Sequence, residues 1–280
     1  MHKNLQIQKY FCTFVGFLCA HAFLTHLPRA HNAHTTIMTI IALDSSTDVC
    51  SAALLQDGQL LAERLNLSGS NHAALLPTYV QELQAEASAR NLSLDSIVLS
   101  EGPGSYTGLR IAASLAKGLC YGSNIPLYAV PTLAVIAHAA TNPLTTNPLT
   151  PYPLPANALI CPMIDARHME VYCAVYDTAL NIVSPLEPLV ITEQSFASLL
   201  DEHPIYFCGN GAAKCKTLIT HPNAYWLDGI VPTAANAGRL HANPAYSHLV
   251  RTVAGKDIAY FEPNYLKDFI AAPAHVKGLH

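Results

Sequence analysis

The sequence predicts an α/β fold built from two halves, each with the element order β-β-β-α-β-α. Two apolar, strand-like runs end in a carboxylate, one over residues 40–44 and the other over residues 158–165. Each run is followed by two more β-rich segments and then by apolar residues at helical spacing. The two halves share little sequence, so the duplication is inferred from the matching order of their elements.

Three strands open the first half, at 40–44, 49–55 and 59–65. Asp57 and Gly58 separate the second strand from the third. An Asp-Gly pair between apolar runs favours a tight turn, because both positions of that turn need a positive φ. The sequence therefore predicts a β-hairpin here.

Helices and strands then alternate to the end of the first half. A helix is predicted over 72–90 from the spacing of its apolar residues. A short strand at 96–100, a helix at 106–121 and a strand at 126–130 follow it. Pro131 opens a further helix, in a position where the missing proline amide is not needed.

A proline-rich stretch separates the two halves. Residues 141–155 contain five prolines and a repeated Thr-Asn-Pro-Leu-Thr segment. This composition blocks both helix and sheet and predicts a linker or a surface insertion. The elements predicted after it are strands at 158–165, 170–177 and 182–189, a helix at 193–200, a strand at 204–208, a helix at 234–241 and a tail at 262–268.

Composition limits the classes of function. Of the 280 residues, 51% are hydrophobic and 12% are charged, whereas an ordinary domain carries about 25% charged residues. Ample apolar material for a core excludes global disorder. The net charge of −4 disfavours a basic nucleic-acid-binding protein, because such a chain could neutralise few phosphates.

The first 37 residues allow two interpretations. They hold three basic residues and no acid, and an uncharged run from Tyr10 to Leu24 resembles a secretory signal. That run is shorter than the roughly 20 residues that span a bilayer. We favour the alternative, that Met38 is the true start, because a strand follows it at once. The predicted division is an N-terminal extension at 1–37, a first half at 38–140, an insert at 141–155 and a second half at 156–280.

The cysteines and histidines predict neither a metal site nor a redox site. None of the eight cysteines has C-x-x-C spacing, and no histidine pair has the H-E-x-x-H pattern. Cys50, Cys161, Cys173 and Cys208 lie in or beside apolar strand-like runs, where a buried, reduced thiol is usual. This usage favours a reducing cytoplasm.

The duplicated order of elements is that of the actin-like, ribonuclease-H-like (ASKHA) fold. The candidate site residues are therefore those that follow the ends of the first strands. Asp44, Ser45, Ser46 and Thr47 follow the first strand. In actin-like ATPases a carboxylate at this point orients magnesium, and a turn of small residues can present amides to phosphate. The alternative is a turn capped by its own Asp and Ser side chains.

The most informative motif is the nonamer from Gly102 to Arg110, Gly-Pro-Gly-Ser-Tyr-Thr-Gly-Leu-Arg. Glycine permits positive φ and close approach of the backbone. Ser105 is placed as an N-cap, which leaves amides free at a helix start that favours an anion. We therefore expect Gly102, Gly104, Ser105 and Gly108 to belong to a phosphate-like turn.

The corresponding turns of the second half are less suited to phosphate. Asp165 ends a strand, but bulky residues follow it where a phosphotransferase of this fold would want Asp-x-Gly-x-Thr. Gly209 and Gly211 form an isolated glycine turn, which is a weaker candidate for a nucleotide contact.

Two predicted helices of the first half have faces suited to a protein partner. The helix at 106–121 is rich in small residues, which allow close helix–helix approach. The same face could instead pack on the chain's own sheet. The residues expected at the interface are Leu76, Tyr79, Val80, Leu83, Leu109, Ala112, Ala113 and Ala116.

Four segments, at 41–47, 102–110, 165–172 and 209–212, together resemble the bacterial TsaB family, also called YeaZ. Pro263-Asn264-Tyr265-Leu266 is similar to that family's C-terminal signature. The match runs in the same order over about 38–268, and the nonamer is its most specific part. The resemblance implies a non-catalytic paralogue of the enzyme TsaD.

The resemblance also implies partners. A TsaB protein pairs with TsaD and with the ATPase TsaE to make N6-threonylcarbamoyladenosine at position 37 of tRNAs that read ANN codons, and forms homodimers through helices of its first half. The resemblance assigns no cofactor to this chain alone and allows ATP or ADP with magnesium at the shared interface. The acidic balance of the chain predicts that tRNA is contacted through the complex alone, and its apolar helices favour a protein partner over a membrane. TsaD has a metal-binding H-x-x-x-H pair where this chain has Thr132 and Ile136, which supply no nitrogen ligand.

Two rival interpretations remain at this level. An independent actin-like ATPase or kinase would need an intact magnesium and phosphate apparatus in both halves. An exported binding protein would rest on residues 1–37 alone.

Overall fold

The computed structural model describes residues 37–69, 71–142 and 153–266. The predictions for the leading segment and for the body of the proline-rich insert lie outside these residues. Within the described ranges, no helix has both the length and the apolar character that crossing a membrane would require. The fold consists of two β-sheets with helices packed between them and on their outer faces.

The first sheet contains the five strands predicted in the first half and one further strand that was not predicted. Asp57 and Gly58 form the turn between its second and third strands with positive φ angles of 48° and 77°, so the predicted hairpin is confirmed. The strands are β1 (Thr39–Asp44), β2 (Cys50–Gln56), β3 (Gln59–Asn66), β4 (Ser96–Ser100), β5 (Leu127–Val130) and, from much later in the chain, β11 (Arg251–Val253). Across the sheet the order is β11-β5-β4-β1-β2-β3, with β4 parallel to β1 and to β5, and the other neighbouring pairs antiparallel.

Three helices belong to the first half: α1 (His72–Ala89), α2 (Tyr106–Ser123) and α3 (Thr132–Thr141). Helices α1 and α2 cover one face of the first sheet, and their apolar residues join a core with Ile41 and Leu43 of β1. This burial removes apolar surface from water, which is the main favourable term in folding.

The second sheet repeats this pattern, with three antiparallel strands followed by parallel ones. Its strands are β6 (Leu159–Asp165), β7 (Glu170–Asp177), β8 (Ile182–Val190), β9 (Ile205–Cys208) and β10 (Ala224–Leu227). The order across the sheet is β10-β9-β6-β7-β8. Helices α4 (Ala197–Glu202) and α5 (Ala234–Ala242) complete the half. The predicted α/β fold with two duplicated halves is confirmed.

Helices α3 and α5 lie between the two sheets, and each packs on the sheet of the opposite half. The amide of Ala234, at the start of α5, donates a hydrogen bond of 2.8 Å to the hydroxyl of Ser51 on β2. Gly238 of α5 lies so close to Leu55 of β2 that a side chain there would overlap it. The central core is therefore shared by both halves.

The structure differs from the predicted elements at short segments. Strands β10 and β11 contain four and three residues, too few for a sequence pattern, and they exist because they pair with β9 and β5. Helix α4 begins at Ala197 and not at 193, because a turn precedes it. In that turn the hydroxyl of Ser195 accepts a hydrogen bond of 2.9 Å from the amide of Thr192.

Candidate functional site

The turn after β1 is closed by its own side chains. Asp44, Ser45, Ser46 and Thr47 are all buried, at 7% exposure or less. The Oδ1 atom of Asp44 accepts hydrogen bonds from the amide and the hydroxyl of Ser46, at 3.1 and 3.0 Å. The alternative interpretation, a self-capped turn, is therefore the one that the geometry favours.

The carboxyl of Asp44 is fully enclosed. Its burial raises the pKa above the ordinary value, and the nearby hydroxyl of Ser100 and the amide of Ser46 oppose that rise only in part. The Oδ2 atom has no hydrogen-bond partner within the described part of the chain. Burial disfavours the charged form of the carboxyl, and the hydrogen bonds at Oδ1 compensate for this only in part.

The nonamer interlocks with the Asp44 turn. The amide of Ser105 donates to the carbonyl of Ser46 at 2.6 Å, and the hydroxyl of Ser45 donates to the carbonyl of Gly108 at 2.8 Å. A Cβ atom at Gly104 would overlap the carbonyl of Ser46, and a Cβ atom at Gly108 would overlap the carbonyl of Ser45. The glycines therefore serve the contact between the two loops, which leaves no room for a phosphate between them.

The predicted N-cap is confirmed, and it contributes to the same contact. The hydroxyl of Ser105 accepts a hydrogen bond from the amide of Gly108 at 3.3 Å, which satisfies one free donor at the start of α2. The nonamer itself covers the turn of Asp44, Ser45, Ser46 and Thr47 in this conformation, and a phosphate-like role for that turn stays a prediction.

The C-terminal segment fastens to the start of the nonamer. The amide of Asn264 donates to the carbonyl of Glu101 at 2.7 Å, and Lys117 Nζ donates to the carbonyl of Phe261 at 3.1 Å. At Gly102 (φ 113°) a side chain would overlap the carbonyl of Asn264. The ring of Tyr265 lies 4.8 Å from the ring of Tyr106, centroid to centroid. The last described residues therefore support the base of α2.

In the second half, a lysine side chain neutralises the carboxylate at the strand end. Lys214 Nζ pairs with Asp165 and donates to the carbonyls of His168 and Glu170 at 2.7 Å each. Partial burial raises the pKa of Asp165, but Lys214 and the amide of Arg167 outweigh that effect and hold it below its ordinary value. Three oxygen atoms thus converge on the chain's own cation.

The Gly209–Gly211 turn is also used internally. Side chains at either glycine would overlap the backbone of β6, at Met163 and Ile164, and Gly209 has a φ of 91°. The amide of Gly211 donates to the carbonyl of Met163 at 3.0 Å. These residues do not fit a nucleotide phosphate in this conformation, so no chemical step through ATP or magnesium is assigned to them.

Other groups that could perform chemistry are buried and separate. In the described ranges, no three His, Cys, Asp or Glu residues are placed to hold a metal ion. Burial raises the pKa of the Cys50 thiol to about 11 and that of Cys120 to about 12, so neither is a thiolate near neutral pH. Burial lowers the pKa of His138 to about 4, and Arg239 adds to that effect.

Most of the predicted interface residues are buried inside the chain. Of the eight, only Tyr79 is partly exposed, and it packs beside the core under α1 and α2. The chain's own sheet and loops cover that helix face, so the other seven side chains pack within this chain, and their role at a partner interface stays a prediction. These residues are Leu76, Val80, Leu83, Leu109, Ala112, Ala113 and Ala116, each no more than 4% exposed.

Sequence reasoning missed a groove on the other face of α2. Its volume is about 270 Å³. The signal was present, because polar residues recur there at helical spacing on the side opposite the small residues. The residues that line the groove are Tyr106, Thr107, Arg110, Ile111 and Ser114.

Comparisons with known proteins agree with this fold. A family model described as "TsaD: tRNA N6-adenosine threonylcarbamoyltransferase" matches residues 66–274, well over half of the chain. The "tRNA threonylcarbamoyladenosine biosynthesis protein TsaB" of Bacillus subtilis is 28% identical over 236 residues, which cover 82% of this chain and 94% of that protein. The Escherichia coli protein of the same description is 32% identical over 144 residues, 51% of this chain and 57% of that protein.

Two solved structures from Pseudomonas aeruginosa share the fold. One, described as a protein with similarity to the peptidase YeaZ, has a TM-score of 0.66 and 25% identity, covering 82% of this chain and 100% of that chain. The other, described as YeaZ, has a TM-score of 0.59 and 25% identity, covering 75% and 91%. Together with the two sheets described above, these likenesses confirm the actin-like fold.

Proposed function

Because this chain belongs to the TsaB (YeaZ) family, within the wider group that the TsaD family model describes, we propose that it is a non-catalytic scaffold subunit. Its role is in the biosynthesis of tRNA threonylcarbamoyladenosine. In this role the chain would pair with TsaD and TsaE and would depend on them for the chemistry.

One observation carries the scaffold role. The strand-end turns that an actin-like ATPase would open to phosphate and magnesium are filled by this chain's own atoms in both halves. In the first half the nonamer packs on Ser45 and Ser46, and in the second half Lys214 takes the oxygens around Asp165. A catalytic site needs groups that can reach the reacting atoms, whereas these groups are held in hydrogen bonds and an ion pair within the chain.

The proposal places the partner surface on the exposed sides of α1 and α2. The buried sides of these helices fix them on the first sheet, so a partner would meet a rigid surface, which lowers the entropic cost of binding. In isolation the same surface would pair two copies of this chain. Nucleotide and magnesium would be held from the partner's side of the complex, tRNA would be contacted through the complex alone, and the compartment would be the cytoplasm.

The two rivals are less well supported. An independent ATPase would require the closed turns to open in both halves. An exported binding protein would rest on the leading segment, which lies outside the described residues.

Complex formation with a TsaD protein tests the proposal. Sedimentation velocity of the mixed proteins should show a discrete complex, and the chain alone should hydrolyse ATP no faster than a buffer control. Absence of a complex at micromolar concentrations would refute the partnership. Steady ATP turnover by the chain alone, abolished by the variant Asp44→Asn, would instead support the ATPase.

A further inference from the structure

The chain returns to its first half over residues 251–265, which we call the C-terminal strap. The strap begins with β11 at the edge of the first sheet, continues in a short 3₁₀ helix (Gly255–Tyr260) and ends at the start of the nonamer. Helix α1 packs on β2 and β3, whereas the strap follows β11 at the opposite edge of the sheet, so α2 lies between them.

Arg251 joins the strap to the residues that lead into α2. Its guanidinium forms an ion pair with Glu101, and its Nε donates to a carboxylate oxygen of that residue at 3.0 Å. The same guanidinium lies over the ring of Phe261, with Cζ 4.9 Å from the centroid. The amide of Asn264 donates to the carbonyl of Glu101 at 2.7 Å. Lys117, in the middle of α2, donates to the carbonyl of Phe261 at 3.1 Å.

The strap is attached to the first half by few buried groups. Most of its residues are exposed, and its buried side chains are those of Val253, Ile258, Phe261 and Pro263. Because β11 pairs with β5 at the edge of the sheet, its release would leave the other five strands hydrogen-bonded to one another. Segments with few buried contacts open at a lower free energy than the whole domain. The strap can therefore separate while both sheets stay folded.

We propose that the C-terminal strap docks and releases as one unit, and that its docked form holds α2 in the position that binds the partner. The release itself is a property of this chain, and its effect on a partner rests on the proposed function. Arg251 is a positioning residue here, because it acts on α2 through Glu101. Linkage makes the coupling reciprocal, so a partner that prefers the docked form must also hold the strap in place.

Hydrogen exchange of the chain alone, read by mass spectrometry, tests the release of the strap. Arg251→Ala should raise exchange about tenfold in the strap and over residues 101–110, because hydrogen bonds to charged groups contribute about that factor. Exchange in β6 and β7 should stay within about twofold of wild type. Arg251→Lys keeps the charge and should recover part of the protection. Lys256→Glu changes an exposed charge in the same strap and should leave exchange as in wild type.

Binding of full-length TsaD, measured by isothermal titration calorimetry, tests the coupling to the partner. Phe261→Ala removes a buried anchor of the strap and should weaken the affinity at least about fivefold, because the apparent affinity falls with the docked fraction. Saturating TsaD should slow exchange of the β11 amides in wild type by at least the same factor, which a merely structural role of the strap would not produce. This second measurement needs no variant, so it decides the coupling even where Phe261→Ala fails to fold.

The outcomes separate this inference from the proposed function. Exchange that is unchanged in Arg251→Ala, or that rises equally in both sheets, would overturn the strap as a separate unit. Unchanged β11 exchange in a complex that does form would overturn its coupling to the partner. Absence of any complex would refute the partnership with TsaD, while the exchange test on the chain alone still decides whether the strap releases as one unit.

Discussion

His138 is buried where α3 packs between the two sheets, and this burial predicts how the free energy of unfolding depends on pH. This side chain is 7% exposed, and its Nδ1 atom has no hydrogen-bond partner in the described part of the chain. The edge of its ring meets Tyr246 at 5.5 Å between centroids. Burial, with Arg239 as a second cause, lowers its pKa from 6.5 to about 4. The imidazole is thus neutral in the folded protein over the whole physiological range.

The sign of the pH effect follows from linkage. As the pH falls below 6.5, the unfolded chain binds a proton at this histidine before the folded chain does, so the free energy of unfolding decreases. Stability from this group is complete above pH 6.5 and is lost as the pH falls towards about 4. One pKa unit corresponds to about 1.4 kcal/mol, so the full loss is about 3 kcal/mol, of which about 2 kcal/mol appears between pH 7.5 and 5.

Urea unfolding at a series of pH values, for wild type and for His138→Leu, measures this difference. The carboxyls of Asp44, which is buried, and Glu63, which is half-buried, have raised pKa values, but they contribute equally to both proteins and cancel in the comparison. Wild type should lose about 2 kcal/mol more than His138→Leu between pH 7.5 and 5. His168→Gln, which replaces a histidine on the surface, is the matched control. Parallel curves for wild type and His138→Leu would refute the burial of His138 between the sheets.

Two further predictions concern the closed turns. Gly108→Ala would press a methyl group against the carbonyl of Ser45 and should lower the free energy of unfolding by about 2 kcal/mol. The same urea method measures this loss, and a variant as stable as wild type would contradict the contact between the two loops. Lys214→Met removes the ammonium beside Asp165, so the pKa of that carboxyl should rise towards its ordinary value in an NMR titration. Because Asp165 is half exposed, the loss of stability should stay below about 1 kcal/mol, and an unchanged pKa would contradict the role of Lys214.

Local patterns in the sequence predicted most of the fold. The Asp57-Gly58 hairpin and the Ser105 cap are set by residues within a few positions of one another, and both were found as predicted. The strands that end at Asp44 and Asp165 were also found, because continuous apolar runs indicate buried strands. Strands β10 and β11 were missed because they depend on neighbours distant in the chain.

The site was harder to predict because one residue type serves two purposes. Glycine at 104 and 108 allows a backbone to approach either a phosphate or another backbone, and here it is the backbone of Ser45 and Ser46. Small and apolar residues on a helix likewise suit either a partner or the chain's own sheet. Leu83 and Ala116 proved to face the sheet, and only the three-dimensional arrangement distinguishes these outcomes.

Modification of tRNA tests the scaffold role most directly. Unmodified tRNA would be incubated with TsaD, TsaE, ATP and the threonylcarbamoyl donor, with or without this chain, and its nucleosides quantified by mass spectrometry. We expect threonylcarbamoyladenosine to form only when the chain is present with its partners, and none to form with the chain alone. Equal modification without the chain, or modification by the chain alone, would contradict a non-catalytic scaffold that the complex requires.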